Sequence, residues 1–245
     1  MAFRHGKNTK VLVGSYDLSS YFAEASIAGS IETAETTTFG VTGGAKTYVA
    51  GLNDATLSLS GMFDGDADAI DEVLVGVLGS DTDVNFTVAF DGGMVLGSRC
   101  VMGAAIETKY DVTSPVADVV KSSAEFQFDA GASRGVVLAP LSSISSTSFG
   151  SSVDNAASTS NGGVAMLHVP ANTRDGNITI KVQHSSDNST FADLATFSVV
   201  SSTTKTSERI SIASGTTVNR YLRTSFTVAG STGSATIACA FARRY

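Results

Sequence analysis

The segment Ala55-Thr56-Leu57-Ser58-Leu59-Ser60-Gly61-Met62-Phe63 sets Ala55, Leu57, Leu59 and Phe63 on one side of Thr56, Ser58, Ser60 and Met62. Period-2 alternation of this kind marks a strand with one buried and one wet face. The same rhythm extends outward on both sides. Val84, Phe86, Val88 and Phe90 read as one strand, and Phe126 and Phe128 between Glu125, Gln127 and Asp129 as another. Further strands are expected near 10–14, 24–31, 98–107, 116–121 and 135–139, the signature of antiparallel sheets.

One stretch follows a different period. In Asp64-Gly-Asp-Ala-Asp-Ala-Ile70-Asp-Glu-Val-Leu-Val-Gly-Val-Leu-Gly79, the residues Ile70, Val73, Leu74, Val77 and Leu78 recur at helical spacing. An amphipathic helix is expected near 66–78, started by Asp64 or Asp66 and stopped by Gly79. Elsewhere the composition opposes helices: Ser and Thr dominate the polar residues, Gly numbers 24 and Trp is absent.

The 245 residues exceed one typical domain, and 42% hydrophobic residues suffice for two cores. A 16% charged fraction and mean hydropathy of +0.16 exclude a disordered polyampholyte and a nucleic-acid binder of the basic kind. No window has the length of apolar sequence that crosses a bilayer, and MAFRHGKNTK leads into VLVG without a signal-peptide core. A soluble chain made in a cytosol is expected, which gives the sequons at Asn85, Asn177 and Asn188 no role. Cys100 and Cys239 lie far apart without a CxxC, so both are expected to pack as small hydrophobes rather than join in a disulfide or zinc site.

Three units follow from the pattern. Residues 1–140 form a β domain carrying the helix, 141–162 a Ser-rich linker, and 163–245 an antiparallel β-sandwich of about seven short strands. Charge divides at the same place. Residues 1–140 hold 8 basic and 18 acidic side chains, a balance of −10, whereas 141–245 hold 8 and 5, a balance of +3. Units of opposite charge point to different tasks.

Catalytic motifs fail on inspection. Gly40-Val-Thr-Gly-Gly-Ala-Lys46-Thr47 lacks the last Walker glycine and the helix that must follow. Asp64, Asp66 and Asp68 begin like an EF-hand, but Ala69 and Val75 stand where its Gly and bidentate Glu belong. Gly131-Ala-Ser133-Arg-Gly135 matches a nucleophile elbow but runs into Val136-Val-Leu138, so a hairpin turn is expected there. His5 lies in a terminal arm, while His168 and His184 read as surface strand positions, leaving no triad. The chain is expected to have no catalytic residue, cofactor or metal.

The stretch Glu35-Thr-Thr-Thr-Phe39-Gly40, followed by Lys46-Thr47-Tyr48-Val49-Ala50-Gly51-Leu52-Asn53-Asp54 and the strand to Phe63-Asp64, resembles the major tail-tube proteins of long-tailed, non-contractile bacteriophages. Those proteins carry a TTFG turn, a loop closing on Y-x-x-Gly-Leu, an alternating strand ending Gly-x-Phe-Asp, and then a helix. The likeness covers about residues 8–130. It implies a tail-tube-like β-sandwich or small barrel with one flanking helix, assembled as stacked, hexameric rings into a hollow tube. It further implies a place in the virion tail, assembly in the host cytoplasm, and tape-measure, tail-tip and tail-terminator proteins as partners, with no membrane. Genomic DNA would pass through the lumen without specific binding.

On that resemblance, residues 33–54 are the expected inter-ring element, with Thr37, Phe39, Gly40, Lys46, Tyr48, Gly51 and Leu52 as its contact residues. The same loop folded over its own sandwich edge is the alternative. The −10 balance suits a bore that repels phosphate. Glu125 and Asp129, opposite Phe126 and Phe128, are the lumen-facing candidates, with Glu107 and Asp111 behind them; an ordinary solvated face explains any one of these equally. The C-terminal unit is expected as an exterior decoration. A capsid decoration protein or carbohydrate-binding adhesin module of a virion is the competing reading.

Overall fold

The computed structural model describes residues 5–39 and 43–244. The chain is mainly β: two antiparallel sheets, with one short α-helix among the described residues. Strands β1 (Lys10–Val13) and β2 (Tyr16–Asp17) form a tight hairpin, β3 (Phe22–Glu35) and β4 (Tyr48–Met62) a long one, and α1 (Ile70–Val75) leads to β5 (Val84–Ala89), β6 (Arg99–Thr113) and β7 (Lys121–Ile144). The alternation read in 55–63 holds, since Ala55, Leu57 and Leu59 are buried. They meet Val11, Val13, Phe86, Val88, Phe126, Phe128 and the helix residues Ile70, Val73 and Leu74 in one core. Phe86 and Phe126 tilt together at a 4.5 Å centroid separation. Each fully buried side chain of this size contributes roughly 1.5–3 kcal/mol.

The helix is shorter than its apolar period suggests. Asp68 adopts a left-handed φ of 60°, and the N-cap falls on Ala69, whose side chain has nothing to give the free backbone donors. Gly76 ends it, although Leu78 N–H still reaches the Leu74 carbonyl at 3.1 Å in a trailing turn. Residues 116–120, expected in a strand, form a loop with Val116 and Val119 exposed.

The turn expected at Gly131–Gly135 does not reverse the chain. Strand β7 runs straight through it and changes course at Ala130 and Gly131, both left-handed at φ 56° and 75°. A bulge of this sort bends a strand without ending it. Before the bend β7 pairs with β4 and β6; after it, with β6 and β15.

The remaining strands are β8 (Ser148–Phe149), β9 (Val153–Asp154), β10 (Gly163–Asn172), β11 (Ile178–Ser185), β12 (Ala192–Thr196), β13 (Thr206–Ile212), β14 (Tyr221–Val228) and β15 (Ala235–Arg243). The boundary drawn at 140/141 therefore falls inside β7. The Ser-rich segment 141–162 is not free linker, because β8 and β9 pair with β14. Its hydroxyls obscured this: short side chains pack at sheet edges as readily as they fill linkers.

One large sheet runs β13-β10-β15-β7-β6-β5-β1-β2, so β10, β13 and β15 extend the sheet of the N-terminal strands. A second sheet, β12-β11-β14-β8, covers one of its faces around Ile178, Ile180, Val182, Leu222, Phe226, Ile237 and Phe241. The opposite face is buried too, where Leu12, Cys100, Met102, Val137, Met166 and Ala240 form a core shared by both halves. His168 lies in this seam at 1% exposure, not on the surface. His184 is half-buried, its Nδ1 accepting the Asn219 N–H at 3.2 Å. Cys100 and Cys239 are free and buried, and desolvation pushes the Cys100 thiol up to about 12.

Candidate assembly surface

Strand β3 pairs with β4 alone, and β4 reaches β7 only from Thr56 to Met62. Beyond Gly29 and Asp54 the hairpin is thus a two-stranded ribbon with no further layer among the described residues, and those residues are exposed. Beside Glu32, Glu35 and Lys46 it exposes several large apolar side chains: Leu52 is 75% exposed, Ile31 60%, Tyr48 57% and Val49 53%, with Phe39 fully exposed near the tip. A hairpin with nothing packed on it is only marginally stable in water.

Local chemistry still shapes the tip. Thr36 N–H donates to the Thr47 carbonyl at 2.8 Å, and Thr47 N–H to the Thr37 hydroxyl at 3.0 Å. Lys46 Nζ sits 2.8 Å from Glu35 Oε2, which holds that carboxyl below its usual range. The register slips between Ile31 and Thr33, so Glu32 faces both Gly51 and Leu52. A Cβ on Gly51 would come within 3.3 Å of the Glu32 Cβ and carbonyl oxygen, which explains a glycine at the bulge. The ribbon thus carries Thr37, Phe39, Lys46, Tyr48, Gly51 and Leu52 together. Gly40 lies outside the described residues. Ile31 and Val49 belong to the same surface and were missed, because apolar residues in a strand ordinarily read as core.

The second surface is the outer face of β3, β4, β7 and β6. Register places Glu24, Ser60, Ser123 and Asp111 in one row, Ser26, Ser58, Glu125 and Lys109 in the next, and Ala28, Thr56, Gln127 and Ile106 in a third. Its charged groups include Glu24, Asp54, Asp111, Glu125 and Asp129 against Lys109 and Lys121, on a ground of small hydroxyls. Lys109 Nζ lies 2.6 Å from Asp111 and 3.9 Å from Glu125, so part of the negative charge is bridged. Asp129, exposed, stands close enough to Asp83 to raise the latter's pKa, after burial, the larger cause.

Glu107 does not belong to this face. It is 1% exposed, and neither carboxyl oxygen has a hydrogen-bond partner. Burial pushes its pKa up to about 8, so at neutral pH it is mostly a neutral acid on the core side of β6. The reason is a bulge: Glu107 pairs with Phe126 and Lys109 with Glu125, and the extra residue between them reverses the alternation. Asp111 therefore faces out and Glu107 in, although four residues separate them.

Asp64 Oδ1 accepts Asp66 N–H at 3.0 Å, and Asp68 pairs with Lys205 at 2.7 Å. The three histidines bond to Lys7, to Gly14 and Thr87, and to Asn219, not to Ser133. Among the described residues no helix is long and apolar enough to cross a membrane.

No protein-family model matches this sequence, and no curated protein matches it. Several solved structures are similar. A chain of the virion of a native gene transfer agent particle is 16% identical, with a TM-score of 0.44, over 54% of this chain and 98% of that one. A chain from the tail of an empty gene transfer agent particle, determined with C6 symmetry, is 19% identical with a TM-score of 0.43, over 54% and 98%. The Dit (gp 19.1) protein of phage SPP1, described as a hub of the adsorption apparatus, is 17% identical with a TM-score of 0.38, over 97% and 99%. At these scores the overlaps carry no argument about role.

Proposed function

We propose that this chain is a structural, non-enzymatic virion protein whose copies join as stacked rings into a phage tail tube. The observation that carries the reading is the ribbon formed by the outer halves of β3 and β4. It projects Ile31, Tyr48, Val49, Leu52 and Phe39 into solvent, where a monomer gains nothing from them. Burial against a neighbouring copy would order the ribbon and remove its apolar groups from water. Repeated head-to-tail contacts of one kind close into rings or run into filaments, which is what the sequence resemblance to tail-tube proteins implies.

In this reading the outer face of β3, β4, β7 and β6 lines the bore. Its polar ground is made of Ser, Thr and Gln groups, and Asp111, Glu125 and Asp129 leave it slightly negative, so phosphate is repelled rather than held. Six-fold symmetry, the tail-tip, tape-measure and tail-terminator partners, and the virion tail as location rest on the resemblance.

Electron microscopy of the concentrated, purified full chain tests the proposal. Hollow rings or tubes are the expected result. A chain that stays monomeric with and without virion extract, or that antibodies place on the capsid, would overturn it, the latter in favour of a decoration protein.

A further inference from the structure

On the outer face of the second sheet, the guanidinium of Arg223 is clamped between two phenyl rings. Its Cζ lies 4.2 Å from the Phe149 centroid and 3.9 Å from that of Phe191. Nε donates to Gln183 Oε1 at 3.0 Å, which fixes the fork in its plane. The two Nη groups make no hydrogen bond or ion pair to any described residue.

The acids of this half are all occupied. Asp154 binds Arg220, Asp175 the N–H groups of Ser231 and Thr232, Asp187 those of Ser189 and Thr190, and Glu208 the Ser198 N–H. Asp193, next to Gln183 in register, is held by Lys181 at 2.6 Å and Gln183 at 2.8 Å. A rigid, outward-facing fork with no internal acceptor suits a bidentate oxyanion. Phe149 itself is 62% exposed, so a flat apolar surface borders the fork.

We infer that Phe149, Arg223 and the neighbouring Gln183 form a binding site for a saccharide bearing an oxyanion. The anion would sit on the in-plane Nη edge of the Arg223 fork, with its pyranose ring against the part of Phe149 that the guanidinium leaves exposed. A protein partner fits less well. Specific protein interfaces bury about 800 Å² on each side around an apolar centre. Apart from Phe149, the large exposed hydrophobic residue of 141–244 is Val199. One ring and one guanidinium match the footprint of a single sugar unit. The inference does not rest on tube assembly.

Binding of the full chain to polygalacturonate, phosphomannan and dextran, measured by biolayer interferometry at physiological salt, tests it. Polygalacturonate binding is expected if the oxyanion is a carboxylate and phosphomannan binding if it is a phosphate, with dextran bound weakly. Arg223→Gln should lower affinity about tenfold, the loss of one charge-assisted fork. Arg223→Lys should recover only part of that, and Phe149→Ala should weaken binding without altering the melting temperature. No binding to either anionic polymer, equal binding to dextran, or undiminished binding by Arg223→Gln with an intact fold would each overturn the site. Loss of self-association in Arg223→Gln without a change in polymer binding would also overturn it, in favour of a protein contact.

Discussion

The His168 imidazole on β10 donates its Nδ1–H to the carbonyl oxygen of Gly14, 2.7 Å away at the turn between β1 and β2. A carbonyl only accepts, so Nδ1 carries the proton and Nε2 accepts from the Thr87 hydroxyl at 2.8 Å. The neutral ring is thus satisfied on both nitrogens while joining strands from opposite ends of the chain. Charging it requires a buried cation and a reversed Thr87 hydroxyl, and burial holds its pKa down to about 4. Unfolded, the same ring titrates near 6.5, so the unfolded state takes up the proton first as pH falls. The stability it contributes is intact above about 6.5 and is lost toward pH 4, by roughly 3 kcal/mol in all. Thermal melts across that range, compared with His168→Gln, should show a steeper acid loss in the parent protein. Parallel curves would refute the neutral-histidine seam.

How much of this was legible beforehand depended on whether neighbours in sequence were neighbours in space. Leu57 and Leu59 announced their core position because alternation is a local property. Gly131-Ala-Ser133-Arg-Gly135 misled because a glycine-flanked stretch between strands signals either a reversal or a bend, and the choice rests on β15, more than a hundred residues away, pairing with the strand beyond. Glu107 misled for a related reason: its bulge is defined by β7, not by its own flanks. The ribbon was found through the family motif, while the Arg223 clamp left no signal, since Phe149, Phe191 and Arg223 come from three separate segments.

Glu107 gives the opposite pH signature. Its folded pKa of about 8 lies above the ordinary carboxyl value, so the folded state retains a proton that the unfolded chain has released. Stability falls as pH rises from about 4.5 to 8 and levels off beyond. Glu107→Gln keeps the shape and removes the ionisation. Its melting temperature should exceed that of the parent by about 2–4 °C or more at pH 8, and the difference should vanish near pH 4. An equal difference at both pH values would mean that Glu107 reaches water.

Gly135 controls the junction between the two halves. A Cβ there would lie 2.5 Å from the Phe241 carbonyl oxygen and 2.8 Å from its carbon, inside the pairing of β7 with β15. Backbone atoms in a ladder cannot swing aside as a side chain does, so Gly135→Ala should cost about 1–3 kcal/mol or more. Hydrogen exchange should localise the loss to β15 and its partner β10. Protection unchanged in those strands would show that the sheet absorbs the methyl group elsewhere.

The ribbon separates folding from assembly. Leu52 and Ile31 are exposed in the single chain, so Leu52→Lys and Ile31→Lys should each shift its stability by no more than about 0.5 kcal/mol. If the ribbon is buried between copies, the same lysines must be desolvated there without a partner, a cost large enough to prevent growth. Sedimentation and electron microscopy at matched concentrations should then show a folded monomer with no tubes for either variant, while Val112→Lys, an exposed change outside the ribbon, assembles as the parent does. Tubes of normal length from Leu52→Lys would remove the ribbon from the contact and require another surface to carry it.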